Sequence, residues 1–334
     1  MNRGGTMKIA YSCAGEGFGH VSRLVVLLPH LEKTHAVGLF LPKSIVGYLN
    51  SRLGPRTTSP IPGIHYVQRH DRVLLAASLL SLLPVIFQFP IVLFRLARTL
   101  KSQGYQAVIS DYEPHLAWAA YFAGIPVLQL NHPGVLTRVA AQGILGYLGA
   151  LGSRLMEGPW QRRILVSFFQ GDVGPLLRPS LQQRAPKRGA HLVVNLKDSY
   201  RTRALAVLTK FPGLDYKLFP SKVESFDEAL LDCAAVITPA GHQVIAEALS
   251  LNKPVLALPQ AGQPEQLLNA QQLVATGRGK IGSLDSLELD LRAFLAALPE
   301  LSSPQPLPRG FNLSDGTLVL LARIERFLLE RVVG

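Results

Sequence analysis

Residues 15–20, GEGFGH, follow the apolar run KIAYSCA and set three glycines and a histidine where a strand should give way to a helix beginning near Val21. Gly15, Gly17 and Gly19 let a ligand approach the backbone, and the free N–H groups of a helix start attract an anion. The neutral imidazole of His20 can take a proton near neutral pH. Taken alone, the motif fits equally a bare glycine-rich turn with a helix-capping histidine. A dinucleotide site would place an acid at the end of the second strand to bind the ribose. Pro42 and Lys43 stand there instead, which disfavours hydride transfer.

A second group lies in residues 233–273, CAAVITPAGHQVIAEALSLNKPVLALPQAGQPEQLLNAQQL. The strand-like AAVIT leads through Pro239, Ala240 and Gly241 into a helix whose N-terminal N–H groups and dipole would face an anion such as a diphosphate. Glu247, inside that helix, is spaced to accept hydrogen bonds from ribose hydroxyls. Glu265 and Gln266, at the start of the next helix, can hold sugar hydroxyls. Asp111 and Glu113 end an earlier strand, where they can orient His20 or bind an acceptor, or serve merely as loop carboxylates. No DxD sequence provides a clear metal site, so no metal and no cofactor is expected. Cys13 and Cys233 are too far apart in sequence for a CxxC pair, and neither a disulfide nor a zinc site is expected.

These residues need a scaffold that brings strand ends together. Apolar runs recur at 8–14, 36–41, 64–68, 106–110 and 125–130, with helix-length segments between them, and again at 191–196, 214–219, 234–238 and 254–259. Runs apolar throughout suit parallel strands covered on both faces. The expected fold is therefore α/β, with two doubly wound Rossmann-like domains. The first spans 1–170. A linker rich in Gly, Pro and Arg follows over 171–190, then a second domain over 191–313 and a closing amphipathic helix over 314–334.

Segment 73–94, VLLAASLLSLLPVIFQFPIVLF, runs 22 residues without a charge. That is long enough to span a bilayer. Pro84 and Pro90, and a position inside an α/β domain, favour one or two broken helices instead. Flanked by Arg69, Arg72, Arg95, Arg98 and Lys101, they would lie on an anionic membrane face. Segment 135–155, bounded by Arg138 and Arg154, has the same character.

The 334 residues suit two domains. Lys and Arg outnumber Asp and Glu by 34 to 22, which favours anionic partners such as nucleotide phosphates and anionic lipid. The cations are scattered without stacking aromatics, so no nucleic acid is expected as a partner. The N-terminal residues lack the apolar stretch of a signal peptide, which together with the cysteines predicts a cytoplasmic protein.

The 233–273 segment resembles the donor-binding signature of GT-B glycosyltransferases: a Gly-led helix, a Glu within it, then a Pro followed by an acid, a Gln and NA. The nearest pattern is that of inverting, UDP-sugar-dependent enzymes acting on lipid acceptors at the membrane, such as the N-acetylglucosaminyltransferase of the lipid-linked peptidoglycan precursor and the diacylglycerol glycosyltransferases. GEGFGHVSR and ISDYEPHLAWAAYFAGIPVLQLNH (109–132) resemble the first-domain segments of the same group. The resemblance implies two domains facing a central cleft. It implies that Gly17 and Gly19 pack near donor phosphates or acceptor, that His20 is the base with Asp111 as its catalytic partner, and that Glu113 and His132 bind the acceptor. It further assigns Gly241 and His242 to the diphosphate, Glu247 to the ribose, and Glu265 and Gln266 to the transferred sugar. At HLVVNLKDSYRTR the chain departs from the pattern: Asn195 and Lys197 replace a Gly- or Ser-rich loop.

The implied function is transfer of a sugar from a UDP-sugar to a lipid or lipid-linked hydroxyl with inversion, by a peripheral protein on the inner face of the cell membrane. Two alternatives are a UDP-sugar epimerase or hydrolase of similar fold and a non-catalytic sugar-nucleotide-binding protein.

Overall fold

The first apolar run forms β1 (Lys8–Cys13), buried from Ile9 onward, in a computed structural model that describes residues 5–64, 68–69, 72–73, 75–139, 143–303 and 306–333. A strand with no polar face must be covered on both sides. Here α1 (Gly19–Leu31), β2 (Ala36–Pro42), α2 (Lys43–Leu53) and β3 (Thr58–Ile61) follow, and then, after the short antiparallel pair β4 (Gln68–Arg69) and β5 (Arg72–Val73), the long α3 (Leu75–Ser102). β6 (Ala107–Asp111), α4 (Pro114–Ala123), β7 (Val127–Asn131), a 3-10 turn at Pro133–Thr137, α5 (Gly143–Glu157) and β8 (Arg162–Leu165) complete the first half.

The six strands form one parallel sheet in the order β3-β2-β1-β6-β7-β8. Alternate residues of β1 serve opposite faces: Ile9, Tyr11 and Cys13 pack with α1 and α2, while Ala10 joins the α3 and α4 side. Between β1 and β6 the strand order reverses. At such a switch point the flanking connections leave in opposite directions and open a crevice at the carboxyl ends of the strands, where α/β proteins bind ligands.

Unit 2 repeats the design. It contains α6 (Pro179–Gln182), β9 (Leu192–Asn195), α7 (Asp198–Leu208), β10 (Tyr216–Phe219), α8 (Phe226–Asp232), β11 (Ala235–Thr238), α9 (His242–Ser250), β12 (Val255–Ala257), α10 (Pro264–Ala275), β13 (Gly279–Ile281) and α11 (Leu287–Leu301). Its parallel sheet runs β10-β9-β11-β12-β13, with a switch point between β9 and β11. The compact units are 1–67, 74–176 and 316–334 on one hand, and 68–73 with 177–315 on the other. The last helix, α12 (Thr317–Leu328), belongs to the first unit: Leu320, Ile324, Phe327 and Leu328 are in its core.

Three features differ from the sequence reading. The third strand is Thr58–Ile61 and not 64–68: Ile64 is in no strand, residues 65–67 lie outside those described, and Gln68 opens β4. β8 and β13 were not expected, because RRIL and GKI are edge strands too short and polar to show an apolar run. Pro84 and Pro90 do not break the apolar segment; α3 passes through both. Both rings lie on exposed positions, where carbonyls left without an N–H donor can turn to solvent. The side chains of residues 65–82, including Arg69 and Arg72, lie outside those described.

Candidate active site

The glycine loop and the end of β6 meet because β1 and β6 are paired with Cys13 opposite Asp111. Gly17 adopts a left-handed φ of +71°, and a Cβ there would meet nothing within 4 Å, so the turn selects glycine for its conformation and leaves space beside it. Gly19 opens α1. His20, one residue further on, is 13% exposed, and its Nδ1 lies 2.7 Å from Asp111 Oδ1. Arg23 Nη2 lies at the same 2.7 Å from Nδ1; in the tautomer that donates Nδ1–H to Asp111, Nε2 carries the lone pair and can act as a base. The ring stacks on Tyr112, centroids 5.5 Å apart and planes within 5°. Tyr112 has a φ of +59°, a conformation uncommon for an aromatic residue and one that accumulates at functional edges.

Asp111 is wholly buried and forms a two-point pair with Arg23, Nε to Oδ2 at 2.8 Å and Nη2 to Oδ1 at 2.6 Å. Burial alone would raise the Asp111 pKa; the charge of Arg23 and then of His20, with their hydrogen bonds, outweighs it and holds the carboxyl below its ordinary range. The same burial, followed by the Asp111 charge, pushes Tyr11 and Cys13 well up. Arg23 escaped the sequence reading. Its signal was available: it stands three residues after His20, hence on the same helical face, and an arginine inside the apolar α1 demands a buried acid.

The two residues expected at the acceptor, Glu113 and His132, are both buried. Glu113 is buried and caps α4, accepting from the backbone N–H of His115 and Leu116 at 2.9 Å each and lying 2.6 Å from His115 Nδ1. A carboxylate two residues beyond the strand is already the first residue before a helix, and its oxygens satisfy that helix's free N–H groups. His132 is buried and packs edge-on against Phe169 at 5.6 Å. Neither side chain faces solvent.

In the second unit, Gly241 precedes α9, and a Cβ on it would meet only the Pro239 carbonyl, at 3.9 Å. The space before the helix N-terminus is open. His242 is the buried first residue of α9. Buried Asn269 donates to the Ala240 carbonyl at 3.0 Å and so ties α10 to this turn. Gln266 Oε1 accepts from Gln260 N at 2.8 Å, closing the loop before α10, and Glu265 stands half-buried in that helix's first turn. Lys197 is exposed at the start of α7, beyond the end of β9.

Glu247, expected at the ribose, has protein partners. It is fully buried, and Arg178 takes both its oxygens, at 2.8 and 2.6 Å, while Gln243 one turn earlier donates to Oε1 at 2.9 Å. Arg178 also pairs with Asp227, which holds Ser180. The carboxylate therefore anchors α9 to the segment that enters the second unit. Arg178, Gln243 and Asn269 were not foreseen, since only the folded chain brings 178 to 247.

The profile of glycosyl transferase family 1 matches residues 7–219 and 213–299. The chain belongs to glycosyl transferase family 1. Like its solved structural neighbours, this family 1 glycosyltransferase has the GT-B fold. It is similar to the glycotransferase of kitacinnamycin, at 17% identity and a TM-score of 0.62 over 98% of this chain and 99% of that one. It is also similar to MurG of Acinetobacter baumannii, at 15% identity and 0.59 over 96% and 99%, and to CalG4, the calicheamicin glycosyltransferase, at 15% and 0.62 over 98% and 100%. No curated protein sequence matches the chain significantly. At these identities the neighbours speak for the fold.

One surface of the first unit is unusual for a soluble enzyme. α3 packs inward through Leu93, Leu96 and Leu100 but exposes Leu83, Ile86, Phe87, Ile91 and Phe94, with Phe87 77% and Phe94 70% exposed. Beside it, α4 exposes Tyr121 and Phe122, and α5 exposes Tyr147, Leu148, Leu151 and Leu155. Exposed apolar side chains thus recur on three helices, α4 packing against both α3 and α5.

Proposed function

We propose that this glycosyltransferase moves a sugar from a UDP-sugar to a hydroxyl of a lipid or lipid-linked acceptor, with inversion, while docked peripherally on the cytoplasmic membrane face. The first unit carries the candidate base and the second the candidate donor residues. In the first, Asp111 fixes the His20 tautomer and Nε2 removes the acceptor proton as its oxygen bonds the anomeric carbon. In the second, the bond from that carbon to the donor diphosphate breaks, and UDP leaves with its negative charge facing the N–H groups before α9. Gly241 and His242 meet the diphosphate, and Glu265 and Gln266 hold the transferred sugar. Glu247 serves the donor through Arg178 and α9. Gly17 and Gly19 leave room at the reacting centre.

The observation that carries the lipid reading is the exposed apolar face of α3, α4 and α5, on the unit that holds His20. The test incubates the protein with isotope-labelled UDP-sugars, singly, and a total lipid extract. Label entering the organic phase with wild type and not with His20→Ala supports the proposal. UDP released without labelled lipid, equally by both proteins, would sink it and favour a hydrolase or epimerase.

A further inference from the structure

The first unit contains a cavity of about 530 Å³ that none of the assignments above uses. It lies between the carboxyl ends of β2 and β3 and the inner side of α3. The pocket is open and its lining mixed: Ile61, Pro62, Val92 and Leu96 supply the apolar part, and Lys43 and Arg95 bring two cations to it. Both cations are exposed and, among the described residues, neither meets a carboxylate. A free phosphate would leave the apolar walls wet, and a neutral lipid would leave the two charges unanswered. The combination suits one molecule with an anionic head and a hydrocarbon body.

Its position adds meaning to its chemistry. Arg95 follows exposed Phe94 directly, so the cavity opens beside the apolar face of α3. On its other side Ser44 donates to the Gly15 carbonyl at 3.3 Å, and a Cβ on Gly15 would come within 2.8 Å of Pro42. The glycine loop that leads to His20 thus lies against Pro42 and Ser44 of the cavity lining. We propose that the cavity binds the phosphate or diphosphate of a lipid through Lys43 and Arg95, holding that lipid beside the loop that leads to the candidate base. This inference rests on the lipid-acceptor reading and names the anchor which that reading lacks. The phosphate can belong to a lipid-linked acceptor or to a membrane phospholipid.

The test is calorimetric titration of the whole protein with citronellyl diphosphate, dihexanoyl phosphatidic acid, citronellol and inorganic diphosphate. Either phosphorylated amphiphile should bind about tenfold or more tightly than citronellol or inorganic diphosphate. That advantage should disappear in Lys43→Ala and Arg95→Ala, whose exposed positions spare the fold. Preference for the citronellyl compound identifies an acceptor phosphate; preference for phosphatidic acid identifies a bilayer headgroup. Equal binding of citronellol, or unchanged affinity in both variants, overturns the proposal. UDP titrated on the same samples, together with the sugar-transfer assay, separates the two failures: loss of transfer with intact phosphate binding sinks the transferase reading alone.

Discussion

Nδ1 of His20 stands 2.7 Å from Oδ1 of Asp111 across 91 residues of sequence, and Arg23 spans the same carboxylate, its Nη2 on Oδ1 and also 2.7 Å from Nδ1. The buried acid and the arginine together orient the imidazole. Asp111→Asn retains the shape and removes the charge that keeps the proton on Nδ1. It should lower kcat by about 10²- to 10⁴-fold with little change in KM for the donor. Steady-state kinetics check this; an unchanged kcat would remove His20 from the role of base.

The depressed pKa of Asp111 has a definite sign for stability. A carboxyl lowered on folding stabilises fully above its unfolded value of about 3.9, and that contribution is lost as pH falls through the lower folded value. Asp111→Asn also strands the buried Arg23, a loss of about 3–5 kcal/mol at neutral pH. Urea unfolding from pH 7 to 2 should show the gap between wild type and variant closing below about pH 4. A gap that stays constant would contradict the assignment.

Breaking the Arg178–Glu247 pair by Arg178→Met should cost about 3–5 kcal/mol, because it leaves Glu247 charged and buried. Adding Glu247→Leu should recover only part of that loss, because buried Asp227 still lacks its Arg178 partner. If the pair acts on the donor only by anchoring α9, UDP affinity in the double variant should fall less than stability does in the single one. Denaturant melts and UDP titration measure the two sides.

Both cysteines are buried thiols. Burial pushes Cys233 up to about 12, and burial with the Asp111 charge pushes Cys13 well up, so neither forms thiolate at pH 8. The native protein should resist a disulfide reagent that titrates both thiols in urea. Rapid native labelling of either one would show that its surroundings open.

Phe87→Asp and Leu155→Asp place charges on the exposed apolar face without disturbing buried residues. Each should reduce cosedimentation with anionic vesicles several-fold and leave the melting temperature near that of wild type. Undiminished sedimentation would assign the face another partner.

The positions of His20 and Gly241 were legible because spacing along one element decides them. His20 at the start of a helix and Gly241 before another are local facts, and the alternation of apolar runs already implied two doubly wound units. Asp111 and Glu113 were indistinguishable, because the difference between them lies in register: pairing with Cys13 puts Asp111 beside the glycine loop, and two residues later Glu113 belongs to α4. The surroundings of Glu247 were hidden for a related reason. Its partner Arg178 comes from a stretch rich in Gly, Pro and Arg that reads as linker, and only the tertiary fold shows the carboxylate already taken.

The backbone N–H of Gly316 reaches the Pro175 carbonyl at 2.8 Å, and Leu177 N reaches Asp315 Oδ1 at 3.0 Å. The chain therefore leaves the first unit and re-enters it at one spot, and a Cβ on Gly316 would overlap the Gly174 backbone there. In assembly on the ribosome this means that the earlier unit waits for the later one. Until residues 317–328 have been synthesised, the place of Leu320, Ile324 and Phe327 against α1 stands bare, while residues 177–315 can already close their own core. A released chain truncated before Thr317 would keep every core residue of the second half and lack those α12 lends to the first.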